Sequence, residues 1–216
     1  QGHIWINYWT AASVIVNPAN GKSSSTFLEK YHTESALSNV SHRIYTDKAG
    51  FYWICSPSGI SIHNPASSHI QKSFLTTTIK TYEGSEPFIT SILEEKPGKT
   101  WAATNAGLFV MNRETGQQEF VGGMYLTKSY LRALLLNTDS VLWAGGEYEI
   151  ALVEPYSKKL IKKIKVPGVV QSIAWAGSGE VLVATWRNGI VRFSKKGELL
   201  QHFLPEKENA NSLASA

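Results

Sequence analysis

The sequence predicts an all-β fold of repeated four-stranded units, and three observations predict it. Aromatic anchors recur at Trp5, Trp53, Trp101 and Trp143, with Leu182 at the same place in a fifth copy, and successive anchors lie 48, 48, 42 and 39 residues apart. Four of the five have an aliphatic residue nine positions earlier, at Ile44, Ile92, Leu134 and Ile173. A polar turn follows each anchor after eleven or twelve residues, at Asn17-Pro18, Asn64-Pro65, Asn112-Arg113, Glu154-Pro155 and Ser194-Lys195. Loop lengths vary while the internal ruler does not, so one supersecondary unit is repeated. The spacing suits the four-stranded blades of a β-propeller.

Each repeat divides into four strands. The first is apolar and carries the aliphatic marker, over 40–46, 89–94, 131–136 and 170–175. A tight hairpin turn follows, for example Asp47-Lys48-Ala49-Gly50 or Lys96-Pro97-Gly98. The second strand carries the anchor and ends in small residues, as in Trp101-Ala102-Ala103-Thr104. Glycine opens the third strand at Gly59, Gly107 and Gly189, and the fourth is amphipathic and outermost, as over 118–121 and 160–164. The inner strands are apolar enough to be covered on both faces, and the anchors are expected in the wedge between packed blades. The segment 75–88 reads as a long surface loop joining blades.

Trp5 has no marker before it, so the first repeat is expected to lack its inner strand. The expected architecture is about five four-stranded blades of a larger propeller, seven-bladed or double. The whole of 1–216 is then one partial propeller, with blade segments of about 1–36, 37–86, 87–129, 130–168 and 169–216. The tail at 211–215 resembles the lead-in at 37–39, as if another repeat were to begin.

Composition narrows the class. With 43% hydrophobic and 18% charged residues the chain can bury a core. No apolar run reaches membrane-spanning length, and no charged-then-apolar leader opens the sequence. The lone Cys55 stands where other repeats have Asn7, Ala103, Gly145 and Ala184, and reads as a small buried strand residue. The net charge of +4 sits largely in Lys158, Lys159, Lys162, Lys163 and Lys165. Without interleaved aromatics these read as protection of a sheet edge, and no nucleic-acid partner is expected.

The stretches 44–60 (IYTDKAGFYWICSPSGI) and 92–108 (ILEEKPGKTWAATNAGL) resemble the two-component regulator propeller repeat. That family's pattern is an apolar residue, an acidic position, a Gly turn, Trp-Ile-Gly-Thr and Gly-Leu. Here its central glycine persists only as Gly145, and Leu182 replaces one tryptophan. The resemblance implies a non-catalytic sensor ectodomain of a hybrid two-component system, periplasmic and often directed at oligosaccharides. Implied partners are such a ligand, further blades, downstream signalling domains and a second copy in a homodimer. The competing reading is a scaffold that binds protein without a small ligand.

Two groups of residues could hold a ligand. The loops between second and third strands carry Tyr8-Trp9-Thr10, Glu147-Tyr148-Glu149 and Trp186-Arg187-Asn188. Aromatic faces beside Arg, Asn and Glu suit a sugar ring, whose apolar face stacks while its hydroxyls take hydrogen bonds. A second ring, two positions before each marker, comprises His42, Thr90, Arg132 and Gln171. Equivalent positions should share one environment, such as a central channel lined by water.

No catalytic residue, metal site or cofactor is expected. A glycosidase needs converging carboxylates, whereas Asp47, Glu94, Glu95 and Asp139 sit by the inner hairpin turns, away from the aromatic loops. The six histidines are scattered without metal-pair spacing. Asn39-Val40-Ser41 fits a glycosylation triplet, but its asparagine abuts an inner strand.

Overall fold

A computed structural model of the chain describes residues 4–6, 14–25, 43–56, 59–64, 70–73, 87–112, 115–122, 130–177, 179–205 and 213. Among them every regular element is a β-strand. The first sheet holds β1 (Ile4–Ile6), β2 (Val14–Val16) and β3 (Ser23–Ser25), with Trp5 in its edge strand. The second holds β4 (Arg43–Thr46), β5 (Tyr52–Ser56), β6 (Gly59–His63) and β7 (Ile70–Ser73). The third holds β8 (Ile89–Lys96), β9 (Lys99–Thr104), β10 (Gly107–Asn112) and β11 (Gln118–Gly122). The last runs from β12 (Ala133–Leu136) through β13 (Leu142–Gly145), β14 (Glu147–Glu154), β15 (Lys159–Trp175), β16 (Glu180–Thr185) and β17 (Ile190–Ser194) to β18 (Leu199–Phe203). Within each sheet every strand lies beside its neighbour in the chain. Two compact units result: Gln1–Ala102 with Met111–Gln118, and Ala103–Val110 with Glu119–Ala216.

The nine-residue ruler is a hairpin register. Ile44 pairs with Ile54, Leu134 with Ala144 and Ile173 with Val183, so each marker lies opposite the residue after its anchor. Directly opposed residues share a face and successive residues alternate. Marker and anchor therefore point to opposite faces of one hairpin, and the pair demands cover on both. Trp53 and Ile54 are both buried, as are Trp143 and Leu134.

In the second unit the core explains what the anchor does. Trp143 is fully buried in a cluster with Ile164, Val170, Ile173, Val181 and Val183. Its ring lies 6.2 Å from that of Phe193, tilted by 56°. The anchor of the fourth repeat is thus covered by the marker face of the fifth, and removing such an aromatic costs on the order of 3–5 kcal/mol. The other face of the fifth repeat follows the row Ala174, Leu182, Arg192, Gln201. Ala174 and Gln201 are exposed there, and Leu182 is only half-buried. A smaller anchor stands where less cover is present among the described residues.

One expectation is corrected at strand level. The separate outer strand at 160–164 and inner strand at 170–175 are a single strand, β15, interrupted by no loop. Its first half pairs with β14 as far as Val169 opposite Glu147, and from Val170 it pairs with β16. Pro167 and Gly168 permit this, because the chain stays extended through the proline and Gly168 leaves room for a close neighbour. A Cβ on Gly168 would lie 2.7 Å from the Asn188 amide nitrogen.

Segments 8–10, 39–42 and most of 75–88 lie outside the described residues, and with them the expectations for Tyr8, Trp9, His42, the Asn39 triplet and the long loop. Cys55 is fully buried on β5 as expected, and burial pushes its thiol up to about 12, with Arg43 pulling the other way.

Candidate functional site

The loops after β13 and β16 are joined through the crossing point of β15. Val169 pairs with Glu147, and its carbonyl accepts the Trp186 N–H at 2.8 Å. The next residue, Val170, donates its N–H to the Gly146 carbonyl at 2.9 Å. Two consecutive backbone units thus fix both loops to one strand. Gly145 is required at this junction, because a Cβ there would lie 2.6 Å from a Val170 methyl. Four of the expected residues are gathered here: Glu147, Tyr148, Trp186 and Arg187.

Backbone strain marks the same two loops. Tyr148 has φ 61° and Arg187 has φ 62°, and each stands five residues after its anchor. In the second and third repeats the positive φ falls one residue later, on Gly59 and Gly107. Glycine carries this conformation without steric cost, whereas Tyr and Arg do not. The strained residues are the displayed ones. Tyr148 is 59% exposed and Trp186 57%, and the Arg187 guanidinium lies 5.9 Å from the Trp186 ring centroid. The loop is braced from below: Asn188 donates its side-chain N–H to the Trp186 carbonyl at 3.1 Å, and the His202 ring meets the Asn188 carbonyl at 2.7 Å.

Arg132 lies just before β12, with its backbone N–H bonded to the Gly145 carbonyl at 2.8 Å. Its guanidinium stacks 4.3 Å from the ring centroid of Tyr130. Its Nε is buried and has no hydrogen-bond partner. Burial chiefly raises the Tyr130 phenol above its ordinary range; Arg132 lowers it and Glu147 raises it. Tyr130 therefore sits in the field of both charged residues, and sequence reasoning missed it. Its position, two before Arg132, corresponds to Phe88 and Val169 in other repeats, a weak apolar signal. Gln171 is half-buried at the register shift between Val170 and Ser172. Thr90 is buried in β8, within the other unit.

The carboxylates expected near the inner turns have structural roles. Asp47 holds its own turn by accepting the Ala49 and Phe51 N–H groups and also accepts the Trp53 indole N–H. Glu95 accepts the Trp101 indole at 2.7 Å and pairs with Lys99. Asp139 pairs with Lys195. Beside that pair, at the hairpin-turn end of the second unit, lies an open cavity of about 600 Å³. Its lining includes Trp175, Lys195, Lys196 and Glu198, two positive charges to one negative, and Lys195 is paired with Asp139. Among the described residues no group of three or more His, Cys, Asp or Glu could hold a metal ion.

No family model matches the chain, and no curated protein matches it in sequence. Solved structures do. The extracellular domain assigned to the hybrid two component system BT3049 of B. thetaiotaomicron matches at TM-score 0.80 and 19% identity, over 100% of this chain and 28% of that one. The extracellular domain assigned to the one component system BT4673 of B. thetaiotaomicron matches at TM-score 0.71 and 14% identity, over 89% and 32%. Virginiamycin B lyase from Staphylococcus aureus matches at TM-score 0.70 and 18% identity, over 96% and 68%. The chain thus spans about a third or less of the two extracellular domains. These neighbours are propeller-like, and at such identities the likeness establishes the fold: an all-β, propeller-like arrangement of up-and-down sheets.

Proposed function

We propose that this chain is part of a non-catalytic, ligand-sensing ectodomain in a two-component system, located in the periplasm. It would form about five blades of a larger propeller and recognise an oligosaccharide. The observation that carries the reading is the site itself. Two equivalent loops spend backbone strain to display Tyr148 on one and Arg187, beside Trp186, on the other, and such strain persists where surrounding structure and function require it. The match over the full chain to an extracellular two-component domain supports the same reading. The acidic residues Asp47 and Glu95 are engaged by indoles, which argues against their serving as a catalytic pair.

Ligand binding would bias one arrangement of the propeller against its neighbours, and the signal would pass to other parts of the full protein. A thermal-shift screen of neutral and acidic oligosaccharides tests the proposal. A saturating ligand stabilises by about 2.7 kcal/mol at a hundred times its Kd, a shift of several degrees. Trp186→Ala should abolish the shift while Tyr156→Ala, at a 91% exposed position away from the site, leaves it intact. No shift with any oligosaccharide, together with capture of a protein partner, would favour the scaffold reading. Turnover of a glycan or lactone that survives Trp186→Ala would favour an enzyme.

A further inference from the structure

We infer that Asn188-Gly189, in the loop that displays Trp186, is a site of spontaneous covalent modification, where Asn188 is converted to isoaspartate or aspartate. The inference goes beyond the ligand reading above and does not depend on it.

Asparagine precedes glycine twice in the chain, at Asn20-Gly21 and Asn188-Gly189. At such a pair the glycine backbone nitrogen can attack the asparagine Cγ. A new C–N bond forms, the Cγ–Nδ2 bond breaks, and the proton of the attacking nitrogen leaves with Nδ2 as ammonia. Water then opens the resulting succinimide at either carbonyl. Glycine favours the closure because no Cβ crowds the nitrogen.

The two pairs differ in how the nucleophile is held. The Gly21 N–H donates to the Asn17 carbonyl at 2.9 Å, and that bond must break before the nitrogen attacks. The Gly189 N–H has no hydrogen bond among the described residues. Its peptide group is also polarised, since the Asn188 carbonyl accepts from the His202 ring at 2.7 Å. A donor on that oxygen draws electron density from the nitrogen and makes its N–H more acidic. Asn188 and Gly189 are both half-exposed, so water reaches the ring once it has closed.

The fold nonetheless needs both residues of the labile pair. Gly189 has φ 69°, and a Cβ there would lie 2.0 Å from the Phe203 carbonyl oxygen. Asn188 supplies the N–H that braces the Trp186 carbonyl. Conversion replaces that donor by a carboxylate, which only accepts. The Trp186 loop then loses its brace and gains a negative charge next to Arg187, and the isoaspartate product also lengthens the main chain by a methylene.

Peptide mapping of the full chain, aged for weeks in mildly alkaline buffer, tests the inference. Mass spectrometry reads the change from amide to acid at both sites, and electron-transfer fragmentation separates isoaspartate from aspartate. Asn188 should convert on the order of 10-fold faster than Asn20 in the folded chain, the worth of the hydrogen bond that restrains Gly21 and the one that activates Gly189. In urea, where neither arrangement survives, the two rates should converge. His202→Ala should slow Asn188 and leave Asn20 unchanged, while His202→Gln, which keeps a donor, should restore much of the rate. Asn20 ahead of Asn188 in the folded chain, or a ratio unchanged by urea, would overturn the inference. An Asn188 rate untouched by His202→Ala would overturn the role given to His202.

Discussion

Asp47 accepts the indole N–H of Trp53, six residues further on, at 2.9 Å. Glu95 does the same for Trp101 at the same spacing. In the fourth repeat that place is Asn137, whose side-chain oxygen is spent on the N–H groups of Asp139 and Val141. Trp143 consequently has a buried indole N–H without a partner. In the fifth repeat both members are gone, replaced by Ala176 and Leu182. The pairing makes a quantitative statement about the anchors. Trp53→Phe removes the indole donor from the buried Asp47 carboxylate, which keeps its bonds to the Ala49 and Phe51 N–H groups, whereas Trp143→Phe removes no hydrogen bond. Trp53→Phe should cost about 1.5–3 kcal/mol more than Trp143→Phe in urea unfolding, and equal costs would refute the account.

His63 gives the fold a pH dependence of known sign. Burial holds its imidazole below the ordinary range, and Nδ1 has no partner. A depressed folded-state value means that the neutral ring is favoured on folding. The contribution is present above about pH 6.5, the unfolded value, and is lost as pH falls below it. Melting temperature should therefore drop between pH 7 and pH 5. His63→Gln should flatten that part of the profile.

Cys55 works in the opposite direction. Its folded value near 12 lies above the unfolded one near 9, so folding favours the neutral thiol. Stability from this group is complete below pH 9 and declines as pH rises towards 12. Ellman's reagent at pH 8 should find no thiol until the chain is unfolded. Cys55→Ala should fold, since Ala103 and Ala184 occupy equivalent places, and should lose less stability above pH 9 than the parent.

The strained loops offer a trade. Tyr148→Gly and Arg187→Gly relieve a left-handed backbone and should each raise stability by about 0.5–1 kcal/mol. Both should weaken ligand binding. A glycine variant that lowers stability would mean that the side chain, not the backbone, dominates at that position.

Much of the fold was legible because it is a matter of register. A marker and anchor nine residues apart must face opposite sides of a hairpin whose partners sum to a constant, and Ile44 with Trp53 states this without any coordinates. The continuity of β15 was not legible, because Pro167-Gly168 reads as a break and only the space beside Asn188 makes it a passage. The aromatic loops were visible in sequence as composition. Tyr130 was not, because its partner Arg132 is chosen by geometry and its own position is filled elsewhere by Phe88 and Val169.

The sequence by itself determined the repeat, the hairpin register and the burial of Trp53, Trp101, Trp143 and Cys55, all of which follow from local periodicity and the need to cover two faces. The tertiary structure alone decided which charges are spent. Asp47 and Glu95 are taken up by indoles, Asp139 by Lys195, while the Arg132 guanidinium lies over the Tyr130 ring with its buried Nε unpaired. The physical reason is that hydrogen-bond satisfaction depends on a few ångströms between residues distant in sequence, and periodicity carries no information at that scale.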